Sequence, residues 1–180
     1  MTRKPYPPGA KKKRKGRSLS EYGKELKEKQ KLRNWYGLEE KQFKKYVKEV
    51  LEKRGGTEDA GALLIKKLES RLDNVVFKLG FSSSRSHAKQ SVSHGHFLVN
   101  SRKVDIPSYS LKKGDVVALS QKSQKKASYQ NLPNILKKYA PPSWLQLDAE
   151  KMEGKIIGEP SLAEVSPPAE ISVIFEFYSR

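Results

Sequence analysis

The chain has no cysteine, three histidines, two methionines and only twenty acidic residues in 180. Without thiols, disulfides and thiolate zinc sites are excluded, which fits a reducing compartment. No apolar run approaches the roughly 20 residues of a membrane-spanning helix, and no signal-peptide core follows the basic N-terminus. The phosphate-cradling loop G-x-x-x-x-G-K-[ST] and the nucleophile elbow G-x-S-x-G are both missing. Asp73, Asp105 and Asp115 stand too far apart in sequence to suggest a general acid–base pair. His94-Gly95-His96 has no carboxylate or third histidine nearby, so polar contacts to RNA or an exposed loop outweigh metal binding there. The expectation is a protein without catalytic residues, cofactor or metal, cytosolic and without membrane partners.

Cations are what the chain has in excess. Thirty-seven Lys and Arg give a formal charge of +17, with 36% apolar and 32% charged residues leaving a modest core. Self-repulsion of that size disfavours a compact state unless a polyanion offsets it, which makes nucleic acid the leading partner. The charge is uneven: residues 1–20 carry eight basic and no acidic side chains, residues 148–180 seven acidic and three basic. The opening "MTRKPYPPGAKKKRKGR" cannot bury itself and is expected to order along phosphates through Lys11, Lys12, Lys13, Arg14, Lys15 and Arg17. Its Pro-Pro-Gly, in place of an amphipathic Ser-rich helix, argues against an organellar leader.

Periodicity predicts helices first. "EYGKELKEKQKLRNWYG" follows Ser20 as N-cap and has few apolar residues, so much of its surface, with Lys31 and Arg33, faces water or RNA. In the next helix Phe43, Tyr46, Val47, Val50 and Leu51 form an apolar stripe, with Lys41, Lys44, Lys45 and Lys48 off it and Gly55-Gly56 as a stop. Lys41 and Lys45 are candidate RNA contacts, against the plainer possibility of a solvated lysine face. Thr57 can cap a third helix. Leu68, Leu72, Val75, Val76 and Leu79 share one side of a helix ending at Gly80, and Arg71, Asn74 and Lys78 share another. Ser84 caps a second short helix with Ala88 and Val92 inward and Arg85 and Lys89 outside. "FLV", "KVD" and "DVVAL" then read as short strands separated by the Asn100-Ser101 turn. Two helices on a small curled sheet make an α+β unit. The closing "EISVIFEFYSR" alternates Ile171, Val173, Phe175 and Phe177 and is expected to be a strand packing back on the rest. RNA is preferred over DNA because no helix is rich in base-reading side chains.

Six ordered stretches, "LSEYGKELKEKQKLRNWYG", "RLDNVVFKLGF", "SRSHAKQSVSHGHFLVN", "KVDIPSYSLKKGDVV", "PSWLQLDAEKMEGK" and "EFYSR", resemble the bacterial type of small-subunit ribosomal protein number four. The resemblance covers nearly the whole chain. It implies an α+β fold: a basic arm (1–18), a helical domain (19–69) completed by a returning segment (132–180), and an inserted RNA-binding domain (70–131) of two helices on a short curled antiparallel sheet. It implies a structural protein of the bacterial small ribosomal subunit in the cytoplasm, not an enzyme. That protein binds the 5′ domain of small-subunit rRNA at a multi-helix junction and nucleates assembly of the body. The resemblance also implies partners in small-subunit ribosomal proteins five and three, a place beside mRNA where it enters the subunit, and an influence on translational accuracy. Residues carried over as RNA contacts are Arg71, Asn74, Arg85, Lys89, Gln90, Ser93, His94 and Asn100. Family members commonly have a longer lead-in, with zinc-binding cysteines in some, and a glycine where Ser101 stands here. A trans-acting factor or a pseudouridine synthase with the same small domain is the competing class, but it would need a catalytic domain for which this chain has little room.

Overall fold

The computed structural model describes residues 19–52 and 59–179. The basic run of residues 11–17 and the expected Gly55-Gly56 stop therefore lie outside the described residues. In chain order the elements are α1 (Glu21–Trp35), α2 (Glu40–Glu52), α3 (Ala60–Glu69), α4 (Leu72–Lys78), α5 (Arg85–Ser93), β1 (Phe97–Val99), β2 (Arg102–Lys103), β3 (Val116–Leu119), α6 (Gln121–Gln124), α7 (Leu132–Leu136), β4 (Leu145–Asp148), β5 (Glu153–Ile156), α8 (Leu162–Val165) and α9 (Ile171–Ser179).

Local chemistry sets the helix starts. Ser20 Oγ accepts from the Gly23 N–H at 3.2 Å, and Ser84 Oγ from the His87 N–H at 3.2 Å, satisfying donors that a first turn leaves open. Thr57 is outside the described residues; the cap observed on α3 is Asp59, which accepts from the Gly61 N–H at 3.0 Å. Its carboxylate also complements the positive end of the helix dipole.

Two apolar clusters divide the molecule. The first is helical: Leu32, Phe43, Val47, Val50, Leu64, Ile65 and Leu68 close with Val165, Ile171, Ile174 and Phe175. The second gathers the α4 and α5 stripes, Leu72, Val75, Val76, Leu79, Ala88 and Val92, over Phe97, Val99, Val117 and Leu119 of the sheet. The sheet is antiparallel throughout, in the order β2-β1-β3-β5-β4. Helix α4 seats against it at Gly154, where a Cβ would lie 2.3 Å from Leu79 Cδ1. A side chain there would lift the helix from the sheet.

Three sequence expectations change. The terminal strand is instead helix α9: Ile171, Ile174 and Phe175 are buried and Tyr178 half-buried, which is spacing i, i+3, i+4, i+7. An apolar-rich segment satisfies both periods, and the helical surface of α1 and α2, on which it lands, selects the second. The "KVD" strand starts one residue earlier and ends at Lys103, as Arg102–Lys103. The sheet is also larger than "FLV", "KVD" and "DVVAL" supply, because β4 and β5 extend it, and Leu132, Leu136, Trp144, Leu145 and Ile156 join its core. Packing therefore shows no break at residue 131. Residues 132–156 stay with the sheet, and only α8 and α9 return to the helical cluster.

Candidate nucleic-acid interface

A groove runs along the junction of the two clusters. One part, about 430 Å³, lies between Tyr36-Gly37 at the end of α1 and Arg71, Asp73, Asn74, Arg85, Ser86, Lys89, Gln90 and Ser93 of α4 and α5. The adjoining part, about 500 Å³, shares Arg71 and Lys89 and adds Lys41 and Lys45 of α2 with Pro107 and Ser108. Eight residues expected to meet RNA are thus brought together from three helices, α2, α4 with its N-cap Arg71, and α5. Lys41, Lys45, Gln90 and Ser93 are exposed, while Arg85 and Lys89 are half-buried.

Arg71 and Asn74 stand differently from the exposed polar row their spacing suggested. They are 2% and 3% exposed. Arg71 donates to Asp73 through Nε at 3.0 Å and Nη2 at 2.5 Å, and through Nη1 to the Tyr46 hydroxyl at 2.8 Å. Burial opposes its charge, but Asp73 and then Tyr46 more than offset that, and its pKa is raised. Asp73 also accepts from the Asn74 N–H at 2.8 Å, so this acidic residue serves as ion-pair partner to Arg71 and as acceptor for a first-turn N–H of α4.

Asn74 sits at the centre of a second network. Its Nδ2 donates to Glu69 Oε2 at 2.6 Å, and the Tyr36 hydroxyl donates to Glu69 Oε1 at 2.8 Å. Glu69 is fully buried. Burial, then the Glu69 carboxylate, pushes the Tyr36 hydroxyl pKa up and keeps it a donor. A carboxylate can only accept, so Asn74 must turn its Oδ1 outward, where it accepts from Arg85 Nε at 3.2 Å. The Arg85 guanidinium is further caged by Phe77 at 4.5 Å, Trp35 at 4.7 Å and Tyr36 at 5.5 Å from the ring centroids. Burial lowers its pKa, with Glu69, Tyr36 and Asp73 opposing. An arginine remains charged under these conditions, so the cage presents a stiff, partly dehydrated cation whose Nη1 and Nη2 bond nothing among the described residues.

The other expected contacts are dispersed. Lys78 lies 5.9 Å over the Trp35 ring, beside the cage. Lys31 pairs with Glu28 at 3.5 Å, and Arg33 Nη1 with Glu40 at 3.3 Å, so both are partly neutralised on the helical side. Asn100 is exposed but pinned to β3: its Nδ2 donates to Asp115 at 2.8 Å and its Oδ1 accepts from the Val116 N–H at 3.0 Å. Those bonds hold a turn in which Asn100 and Ser101 both adopt positive φ, 49° and 67°, a strain glycine would relieve at Ser101. His94 faces a separate hollow at the far end of α5. Sequence reasoning missed Trp35, Tyr36, Phe77 and Glu69. The adjacent aromatics of "NWYG" at a helix end were the available signal, whereas Glu69 gave none.

The fold and groove define a class, an S4-domain protein: the S4 domain model matches residues 70–117, and the ribosomal protein S4/S9 N-terminal domain matches residues 1–69. The small ribosomal subunit proteins uS4 of Halothermothrix orenii and Thermus thermophilus are each 44% identical to the chain over all of its length and 85% of theirs. That of Akkermansia muciniphila is 44% identical over all of the chain and 88% of its own. The chain belongs to the uS4 family.

Proposed function

We propose that this protein is a structural constituent of the bacterial small ribosomal subunit that binds small-subunit rRNA directly through the junction groove. The observation that carries this is the convergence of Lys41, Lys45, Arg85 and Lys89 on one groove between two differently built regions of a uS4-family chain. Such a groove suits a folded RNA, whose phosphates approach from more than one helix, better than a single straight duplex. The resemblance set out above supports the finer roles. The RNA is the 5′-domain multi-helix junction, binding nucleates the body, and proteins five and three and incoming mRNA are neighbours whose contacts bear on accuracy. Bacterial relatives support a place in cytoplasmic ribosomes.

The test is binding to a 5′-domain rRNA fragment across salt concentrations. Roughly six to ten phosphate contacts give log–log slopes of about −5 to −9. A flat response overturns the proposal. Arg85→Ala with Lys89→Ala should weaken binding while the chain stays folded; the urea midpoint should fall modestly, because Arg85 also donates to Asn74 and stacks among Phe77, Trp35 and Tyr36.

A further inference from the structure

A second concavity, about 540 Å³, begins just past the C-terminal end of α5 and shares no residue with the groove. His94, Gly95, His96, Lys103, Lys122 and Lys126 line it, and no carboxylate does. Among the described residues, Lys103, Lys122 and Lys126 make no ion pair, whereas Lys29, Lys31, Lys66, Lys67 and Lys151 all do. Other lysines, Lys41, Lys45 and Lys89 of the groove among them, are likewise outside any ion pair; what sets the hollow apart is three such lysines around one concavity that no carboxylate lines.

The hollow is also built. Lys126 Nζ lies 3.3 Å from His96 Nε2. An ammonium can only donate, so Nε2 accepts and the ring proton sits on Nδ1, which donates to Ser123 Oγ at 3.0 Å. Ser123 is buried and shares a 2.8 Å hydrogen bond with Ser120. Tyr129 and His94 meet the His96 ring edge-on at 5.8 and 5.9 Å. Burial, and then Lys126, His94, Lys103 and His87, lower the His96 pKa, in keeping with a neutral ring. Lys103 runs across the bare backbone of Gly95, whose φ is +68°; a Cβ there would sit 2.1 Å from Lys103 Cε. A glycine is thus needed both for the backbone angle and for the seat of one lysine.

We infer that this hollow is a second RNA site, in which Lys103 and Lys126, flanked by His94 and His96, take a backbone phosphate of the same RNA that occupies the groove. Three uncompensated ammonium groups around one concavity repel each other, and a phosphate inserted among them removes that cost. The groove follows α5 as far as its last residue, Ser93, and the hollow begins at His94, so one folded RNA reaches both. Lys126 has to leave His96 for the phosphate, after which the ring nitrogen can take up a proton and become a further donor. The inference rests on the RNA-binding reading and extends it past the C-terminal end of the helix.

The experiment compares the salt dependence of 5′-domain fragment binding for the full chain, for Lys103→Gln with Lys126→Gln, and for Lys137→Gln with Lys138→Gln, two exposed lysines outside both hollows. The first pair should flatten the log–log slope by about one and weaken binding, while the second leaves the slope unchanged. An unchanged slope in the first pair, or an equal flattening by the second, overturns the site while leaving the groove intact. A parent chain that binds the fragment without salt dependence defeats the broader proposal instead. The His94 and His96 ring resonances should move when the fragment is added and stay in place with inorganic phosphate alone. Movement with phosphate alone would assign the hollow to a free anion and overturn the RNA site.

Discussion

The two clusters close by different means. The sheet-bearing region is sealed by apolar stripes, with α4 and α5 laid over a five-stranded sheet. The helical region is partly sealed by charges, because α1 buries Glu25 and Lys29 beside Leu32. Lys29 bonds Glu40 at 2.6 Å and lies 4.8 Å over the Phe177 ring, and the Tyr178 hydroxyl donates to the same carboxylate at 2.8 Å. Water-excluding packing tolerates loss poorly but needs little alignment, whereas a paired interior depends on every partner being present. The first kind of closure makes a firm platform; the second makes a docking face that only one C-terminal helix fits.

Breaking the platform should cost most. Leu72→Ala removes a fully buried side chain and should lower stability by about 2–5 kcal/mol in urea unfolding. Glu69→Ala cuts the link between the two regions and leaves the Tyr36 hydroxyl and the Asn74 amide without their partner, for about 1–3 kcal/mol by the same measurement. Tyr178→Phe removes one hydrogen bond from the docking face and should cost about 0.5–1.5 kcal/mol.

Acid sharpens the contrast further. Burial works against the Glu40 charge, but hydrogen bonds from Lys29 and Tyr178 and the nearby Lys29 and Arg33 charges prevail and hold its pKa low. Its stabilising effect is therefore complete above the ordinary glutamate range, about pH 4.3, and fades as pH falls further. Protection of α9 amides from exchange, corrected for the intrinsic rate, should fall below that pH in the parent and lose this dependence in Glu40→Gln. At the bottom of the scale, Lys31→Ala, on an exposed pair, should change stability by less than about 0.5 kcal/mol.

The same contrast explains what could be read from sequence. Apolar stripes are periodic, so α2, α4 and α5 and the strands at 97–99 and 116–119 were legible, with Ser20 and Ser84 as caps. The polar side of α4 was visible too, but periodicity cannot tell that Arg71 and Asn74 are covered by Tyr46 and Glu69, distant or acidic partners that only the fold brings near. The residues of α9 fit a strand as well as a helix until α1 and α2 are in place. "PSWLQLD" showed apolar content but not that β4 and β5 extend a sheet begun some forty residues earlier.

The order of the chain gives the helical cluster a history as well as a shape. Val165, Ile171, Ile174 and Phe175 are made after the whole sheet-bearing region, yet they close a core begun by Leu32 and Phe43. The sheet-bearing region needs nothing beyond Ile156 for its own buried cluster. During synthesis from the N-terminus, the central region can thus complete its core while the first helices still wait with an open apolar face. The helices made before the sheet-bearing region finish after it.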